Sequence, residues 1–386
     1  MSIRRNYLDR LRLFAAFLVI ILNVQGSTSA LHATINQLSS IAVPLFLLVT
    51  GSLIFKKPYT RQKQISRILL MLATYFVFGV VEYICAGGYE LIPYMLYPFT
   101  YKRWIGIGVS VFFAYYYIIA KKPLSMILCL LSIYLFFSVV DFALCEDKGI
   151  VNAIFDAKSY RWYLLMLAGI YLIQPILYRI ANEKKLLHLG IIAGLIYALC
   201  YNLSLIGSFS FFNIFTQGMA AALAYRAIFY LLLGRFMVDF MISHDSFRLK
   251  RVKIYAFVLI IISTIIQTNL VKDNGNLGYS DYFSIFIIAN SLLVYTLVYS
   301  YTFSSEVHKI CGNAALYIYL YHWPVMKLLD KIFLFSTKAN TPLNIMLYSA
   351  IIFVLSALLA VITKYVIKLI QPYLGKKTDV TSEESV

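Results

Sequence analysis

Long apolar runs recur along this chain, and they limit its fold more than any other feature. An α-helix needs about 17 to 25 mostly apolar residues to cross the hydrocarbon core of a bilayer, and runs of that length follow one another along the sequence. Hydrophobic residues make up 61% of the 386 residues and charged residues only 13%, about half the charged fraction of a soluble domain. The sequence therefore predicts an all-α, polytopic integral membrane protein.

The runs predict a bundle of about 10 to 12 transmembrane helices. We expect one membrane domain, residues 1–374, and a short polar tail, residues 375–386. Gly190 and Gly194, four residues apart in one run, are typical of close helix packing. The predicted spans are residues 11–26, 39–55, 68–86, 104–120, 124–143, 162–178, 188–206, 222–242, 254–270, 282–301, 315–329 and 343–370.

Basic residues are concentrated between the apolar runs. Residues 56–67 and 244–253 form strongly basic connections, which the positive-inside rule places in the cytoplasm. With that orientation both termini are cytoplasmic, and we predict a multi-pass protein of the cell membrane whose immediate partner is the lipid bilayer. The net charge of +17 forms no continuous basic patch, so no nucleic-acid partner is expected.

The sequence lacks the signatures of soluble enzymes and of metal sites. It has no phosphate-binding glycine loop, no serine in a nucleophile elbow, and no histidine and aspartate at the spacing used by glycerolipid acyltransferases. The five cysteines are scattered, so neither a bound metal nor a disulfide framework is expected. Any catalysis must therefore use groups within or just above the membrane.

Two polar residues share one face of the first predicted helix. Arg12 lies near its start and Asn23 eleven residues later. At 100° and 1.5 Å per residue, the two side chains are within about 20° of the same face and roughly 16 Å apart. Because polar groups are costly in lipid, this face is predicted to contact protein or water.

Histidine and basic residues supply the other candidates. His322 lies inside an apolar run, where it is either a functional group or a structural hydrogen-bonding residue. His32 follows the first span on the predicted external side, as a loop residue or a nearby base. Arg12, Lys63 and Arg67 lie at predicted cytoplasmic helix ends. There they are expected either to contact phospholipid headgroups or to form an anion site for a phosphorylated cofactor.

Five segments together resemble one family. They are DRLR ending at Arg12, VPLF at residues 43–46 with Thr50 and Gly51 after it, a tryptophan-led span with Trp162, Tyr163 and Pro175, FYLLLG at 229–234, and IYLYHWPV at 318–325. In this order, over residues 7–326, they resemble the membrane acyltransferase 3 family, integral membrane proteins that O-acylate carbohydrates of the cell surface.

The resemblance implies a donor and an acceptor. Acetyl-CoA, or another acyl-CoA, would be bound from the cytoplasm by Arg12, Lys63 and Arg67. The acceptor would be a hydroxyl of a bacterial capsule or cell-wall polysaccharide, or of its lipid-linked precursor, on the external side. Trp162, Tyr163 and His32 are then candidates for substrate contacts, and Arg12, Asn23 and His322 for the catalytic set.

The chain departs from the family at its expected base. The family has a histidine eleven residues after the arginine of the first helix, whereas this sequence has Asn23, whose amide accepts no proton at neutral pH. One hypothesis is an O-acetyltransferase in which Asn23 orients a substrate group and His322 or His32 supplies the base. The other is a member without activity that translocates or assembles polysaccharide.

Overall fold

The computed structural model describes residues 3–24, 30–56, 60–86, 162–205, 223–243, 250–274, 281–300, 306–333 and 341–370. Within these ranges the regular structure is entirely α-helical. The predicted spans 104–120 and 124–143 lie outside the described residues. The helices, in chain order, are α1 Ile3–Asn23, α2 Ala30–Ser39, α3 Ala42–Ile54, α4 Arg61–Ala86, α5 Trp162–Leu172, α6 Gln174–Asn182, α7 Lys184–Leu205, α8 Leu223–Ser243, α9 Lys250–Asn274, α10 Ile285–Ser300, α11 Glu306–Phe333 and α12 Pro342–Ile370.

The prediction of an all-α membrane helix bundle is confirmed. Four segments of the described chain are long and apolar enough to cross a bilayer: Ala33–Ile54, Lys184–Leu203, Arg251–Lys272 and Pro342–Val366. Helices α7, α9 and α12 expose large apolar side chains, as a lipid-facing surface requires. The number of spans and the cytoplasmic position of both termini stay predictions.

The chain divides into two compact units, Met1–Tyr75 with Tyr163–Val361, and Phe76–Trp162 with Ile362–Val386. The predicted single domain over residues 1–374 stays a prediction. The packing contacts and the candidate site described below all lie within the first unit.

Two predicted boundaries differ from the structure for local reasons. Residues 61–67, predicted as part of a loop, form the first two turns of α4, since Arg, Gln and Lys are good helix formers. The span predicted at residues 162–178 is broken at Ile173 into α5 and α6, where Pro175 follows at the start of α6. Proline removes a backbone donor and crowds the preceding turn, so the break is its expected effect.

Glycines allow the central helices to touch backbone to backbone. A Cβ at Gly51 of α3 would lie 2.0 Å from the carbonyl oxygen of Leu231, and one at Gly234 of α8 would lie 2.1 Å from that of Leu48. Gly190 and Gly194 of α7 similarly face side chains of α8, so the predicted close packing at that pair is confirmed. Helix α8 therefore lies between α3 and α7.

Helices α1 and α11 run side by side in the same direction. A Cβ at Gly312 would lie 2.4 Å from the Cβ of Asp9 at one end of the pair. Toward the other end, Ile20 and Val24 pack with Val325 and Leu329 in one buried cluster. Parallel neighbours need an odd number of membrane crossings between them, which agrees with their predicted order as the first and eleventh spans.

Candidate functional site

Arg12 lies near the middle of α1 and is held by an ion pair within its own helix. Its Nη1 donates to Oδ1 of Asp9, one turn earlier, at 3.1 Å. The two side chains are 28% and 13% exposed, so the pair is half-buried and the guanidinium remains accessible. Asp9 lies against Gly312 of α11, where any larger side chain would displace it. The aspartate of the DRLR segment therefore orients Arg12.

Arg67 contacts Tyr171, near the end of α5. The guanidinium carbon of Arg67 lies 5.4 Å from the centre of the Tyr171 ring, at the distance of a cation–π contact. Lys63 is exposed on α4 four residues before Arg67, on the same helix face. Two of the three predicted donor-binding residues, Lys63 and Arg67, thus lie one turn apart on α4, and Arg12 lies on α1.

A column of aromatic rings joins three of the family-like segments. The rings of Phe46 and Tyr163 are 5.8 Å apart, those of Tyr163 and Tyr319 are 5.6 Å apart, and those of Tyr319 and His322 are 5.7 Å apart. The hydroxyl of Tyr163 is hydrogen-bonded to Thr50, whose own hydroxyl donates to the Phe46 carbonyl. The tyrosine therefore donates to Thr50, and this bond fixes its ring between α3 and α11.

His322 is fully buried in α11 with a defined ring orientation. Its Nδ1 is hydrogen-bonded to the backbone carbonyl of Tyr319. A carbonyl only accepts, so Nδ1 carries the proton and Nε2 of the neutral ring carries the lone pair. Such a ring is already in the tautomer that a general base requires.

Asn23 lies at the last turn of α1, and its amide nitrogen donates to the carbonyl of Val19 at 2.8 Å. The contact between Asp9 and Gly312 gives a common reference level for the two helices. From that level Asn23 lies about 21 Å further along α1, and His322 lies about 15 Å further along α11. Because α1 and α11 are parallel neighbours, Asn23 and His322 lie about one helical turn apart in level. The residue that replaces the expected histidine therefore lies at a level of the bundle similar to that of a histidine on the adjacent helix.

The remaining predicted contacts take no part in these described interactions. His32 lies in α2, on a helix rather than in a loop, and Trp162 is the first residue of α5. The side chains of both lie outside the described part of the chain. Their predicted substrate contacts stay predictions.

The sequence did not single out three residues that make contacts within the site. Tyr171 contacts Arg67, Tyr319 joins Tyr163 to His322, and Gln64 binds the end of α5. Tyr319 lies in the family-like segment IYLYHWPV, one helical turn before the candidate residue His322. Tyr171 and Gln64 carry no local signal, since tyrosine is common in apolar spans and glutamine in basic loops.

The described helices thus form an apolar membrane bundle that carries exposed and half-buried basic side chains and one buried imidazole. The comparison with known families identifies it further: the acyltransferase domain of the acyltransferase 3 type matches residues 119–363. The chain therefore belongs to that family, and it is a membrane acyltransferase. Of the candidate residues, Trp162, Tyr163 and His322 lie within the matched range, and those of α1, α2 and α4 precede it.

No curated protein and no solved structure matches the chain.

Proposed function

We propose that this acyltransferase is an O-acetyltransferase of a bacterial surface polysaccharide, such as capsule or cell-wall glycan. It takes the acetyl group from acetyl-CoA at the cytoplasmic side of the cell membrane. The observation that carries the proposal is the pair of contacts made by α5: its Tyr171 contacts Arg67, and its Tyr163 lies against Tyr319, next to His322. One helix thereby joins a cationic site to a buried imidazole.

The donor site of the proposal consists of Arg12, Lys63 and Arg67. Coenzyme A carries several phosphate charges, and guanidinium groups bind phosphate through paired, charge-assisted hydrogen bonds. Arg67 and Lys63 are exposed and Arg12 is half-buried, which orders the three groups from solvent into the bundle. The nucleotide would bind at the exposed pair and direct the thioester toward Arg12 and Tyr163.

His322 is the proposed general base. Its Nε2 removes the proton of the acceptor hydroxyl, the alkoxide oxygen attacks the thioester carbonyl, and the tetrahedral intermediate collapses to the ester. The coenzyme A thiolate leaves and takes the proton from the imidazolium, so the ring returns to its starting state. Asn23, about one turn away in level, would orient the acceptor hydroxyl or the carbonyl oxygen through its amide.

A second function is favoured by the hydrogen bond of Asn23. Its amide nitrogen is used within its own helix, on the Val19 carbonyl, as in a structural side chain. On this reading the chain keeps the family fold and serves translocation or assembly of polysaccharide without transferring an acyl group. Loss of the protein would then leave the acyl content of the glycan unchanged, while glycan accumulates on the cytoplasmic side.

Surface glycan acetylation separates the two functions. It is measured in a deletion strain complemented with wild type, His322→Ala, Asn23→His or the control His188→Ala, whose histidine is exposed on α7. The proposal expects acetyl ester in wild type and the control, none in the deletion strain, and a loss of at least about a hundredfold in His322→Ala. Normal acetylation without the protein would refute the enzyme. Full activity of His322→Ala would refute its role as the base, and a gain in Asn23→His would show that a first-helix base still fits the site.

A further inference from the structure

Pro175 leaves the end of α5 with backbone carbonyls that lack their helical donors. In a continuous helix the N–H of residue 175 would donate to the carbonyl of Tyr171, and proline has no N–H. The N–H of Ile176, the regular donor to Leu172, turns instead to the carbonyl of Ile173 at 3.1 Å. Two successive carbonyls therefore need partners from elsewhere, because unsatisfied backbone groups are costly inside a membrane protein.

Gln64 of α4 supplies that partner. Its Nε2 donates to the Tyr171 carbonyl at 2.7 Å and to the Leu172 carbonyl at 3.0 Å. The side chain is only 9% exposed, whereas its neighbours Lys63 and Ile65 are exposed. One primary amide thus replaces the donors lost at the break, and it joins residues more than 100 positions apart in the sequence.

The same contact sets the position of Arg67. Gln64 and Arg67 are three residues apart, so both face α5, and the guanidinium of Arg67 lies over the ring of the residue whose carbonyl Gln64 binds. We infer that Gln64 is a positioning residue of the donor site: by binding the carbonyls that Pro175 leaves open, it holds Arg67 and Lys63 where acyl-CoA phosphates bind. This inference rests on the proposed function for the identity of the ligand.

The test uses full-length protein in detergent and coenzyme A as the binding probe, with acetyl transfer measured separately in membranes. Gln64→Met keeps the length of the side chain and removes both hydrogen-bond donors. We expect the Kd for coenzyme A and the KM for acetyl-CoA to rise about tenfold, with kcat within about twofold of wild type. The matched control is Gln62→Met, an exposed glutamine two residues earlier on α4, which should change neither constant.

A second background tests the link to Pro175. In Pro175→Ala the backbone N–H of residue 175 is restored, and the Tyr171 carbonyl can be satisfied within its own helix. The effect of Gln64→Met on coenzyme A binding should then fall from about tenfold to about threefold or less. An undiminished effect in this background would show that Gln64 does not act through the carbonyls left by Pro175.

A second variant, Gln64→Asn, keeps the amide but shortens its reach by one methylene. It should weaken coenzyme A binding about threefold. This variant replaces Gln64→Met if the methionine variant does not accumulate as folded protein. Wild-type affinity in either variant, or a fall in kcat at unchanged KM, overturns the inference. Coenzyme A binding by wild type without acetyl transfer would refute the proposed function alone. A KM for acetyl-CoA equal to that of wild type in both Gln64 variants would refute the positioning role alone.

Discussion

The backbone contact between α3 and α8 yields the most direct test of the bundle. In Gly234→Ala the added Cβ would lie 2.1 Å from the Leu48 carbonyl oxygen and 2.8 Å from the neighbouring Leu48 carbon atoms. Carbon–oxygen contacts are comfortable near 3.5 Å, so the helices would have to separate locally by about 1.4 Å. The obstacle is backbone on both sides, and no rotamer change can relieve it.

The expected cost follows from two opposing effects. Overpacking of this severity lies at or beyond the upper end of the usual range, about 3 kcal/mol, whereas replacing a helical glycine by alanine recovers about 1 kcal/mol of helix propensity. The net loss is about 2 kcal/mol. The substitution should also reduce acyl transfer, since α3 carries Phe46 and Thr50 to Tyr163 and a shifted helix weakens those contacts.

The assay is thermal unfolding of the purified protein in detergent, followed by intrinsic fluorescence. Gly234→Ala should lower the midpoint by several degrees, at a few degrees per kcal/mol. The control is Gly169→Ala on α5, where an added Cβ meets nothing within 4 Å, and its midpoint should be equal to wild type or higher. Wild-type stability in Gly234→Ala would refute the backbone contact between α3 and α8.

Three further predictions concern charged and polar groups within the bundle. Arg226 and Asp281 form an ion pair at 2.5 Å with both side chains largely buried, so Arg226→Ala should cost about 2 to 3 kcal/mol of unfolding free energy. Arg235→Ala, which breaks a pair whose carboxylate is 57% exposed, should cost less than about 1 kcal/mol in the same denaturation assay. Ser52 donates within the buried α3–α8 contact, so Ser52→Ala should destabilise by about 1 to 2 kcal/mol. The buried hydroxyl of Ser356 has no hydrogen-bond partner among the described residues, so Ser356→Ala should be neutral or stabilising, as thermal midpoints will show.

Local rules predicted much of the fold. Apolar runs of membrane-spanning length predicted an all-α bundle, and the spacing of Gly190 and Gly194 predicted a close helix contact. The break at Ile173 follows from Pro175 by the same kind of rule, although a single span was predicted there. These features depend on neighbours within a turn or two, and such neighbours are visible in the sequence.

The site was less accessible to such rules because it is made of long-range contacts. The resemblance grouped Arg12 with Arg67, but nothing local shows that Tyr171 lies beside Arg67. Gln64 lies in a segment with the composition of a basic loop, and its role is visible only when the carbonyls of α5 are placed next to it. Periodicity shows which face of a helix is polar, but the partner of that face depends on how distant helices pack.

The parallel pair α1 and α11 also has a consequence for biosynthesis. Asp9 and Gly312 touch, yet about 300 residues are made between them. At the usual rate of about 5 to 20 residues per second, α11 is made roughly 15 to 60 seconds after α1, and only then can Asp9 rest against it. During that interval the ion pair within α1 neutralises the arginine before its neighbour arrives. The DRLR segment thus gives Arg12 a partner that does not depend on the arrival of α11.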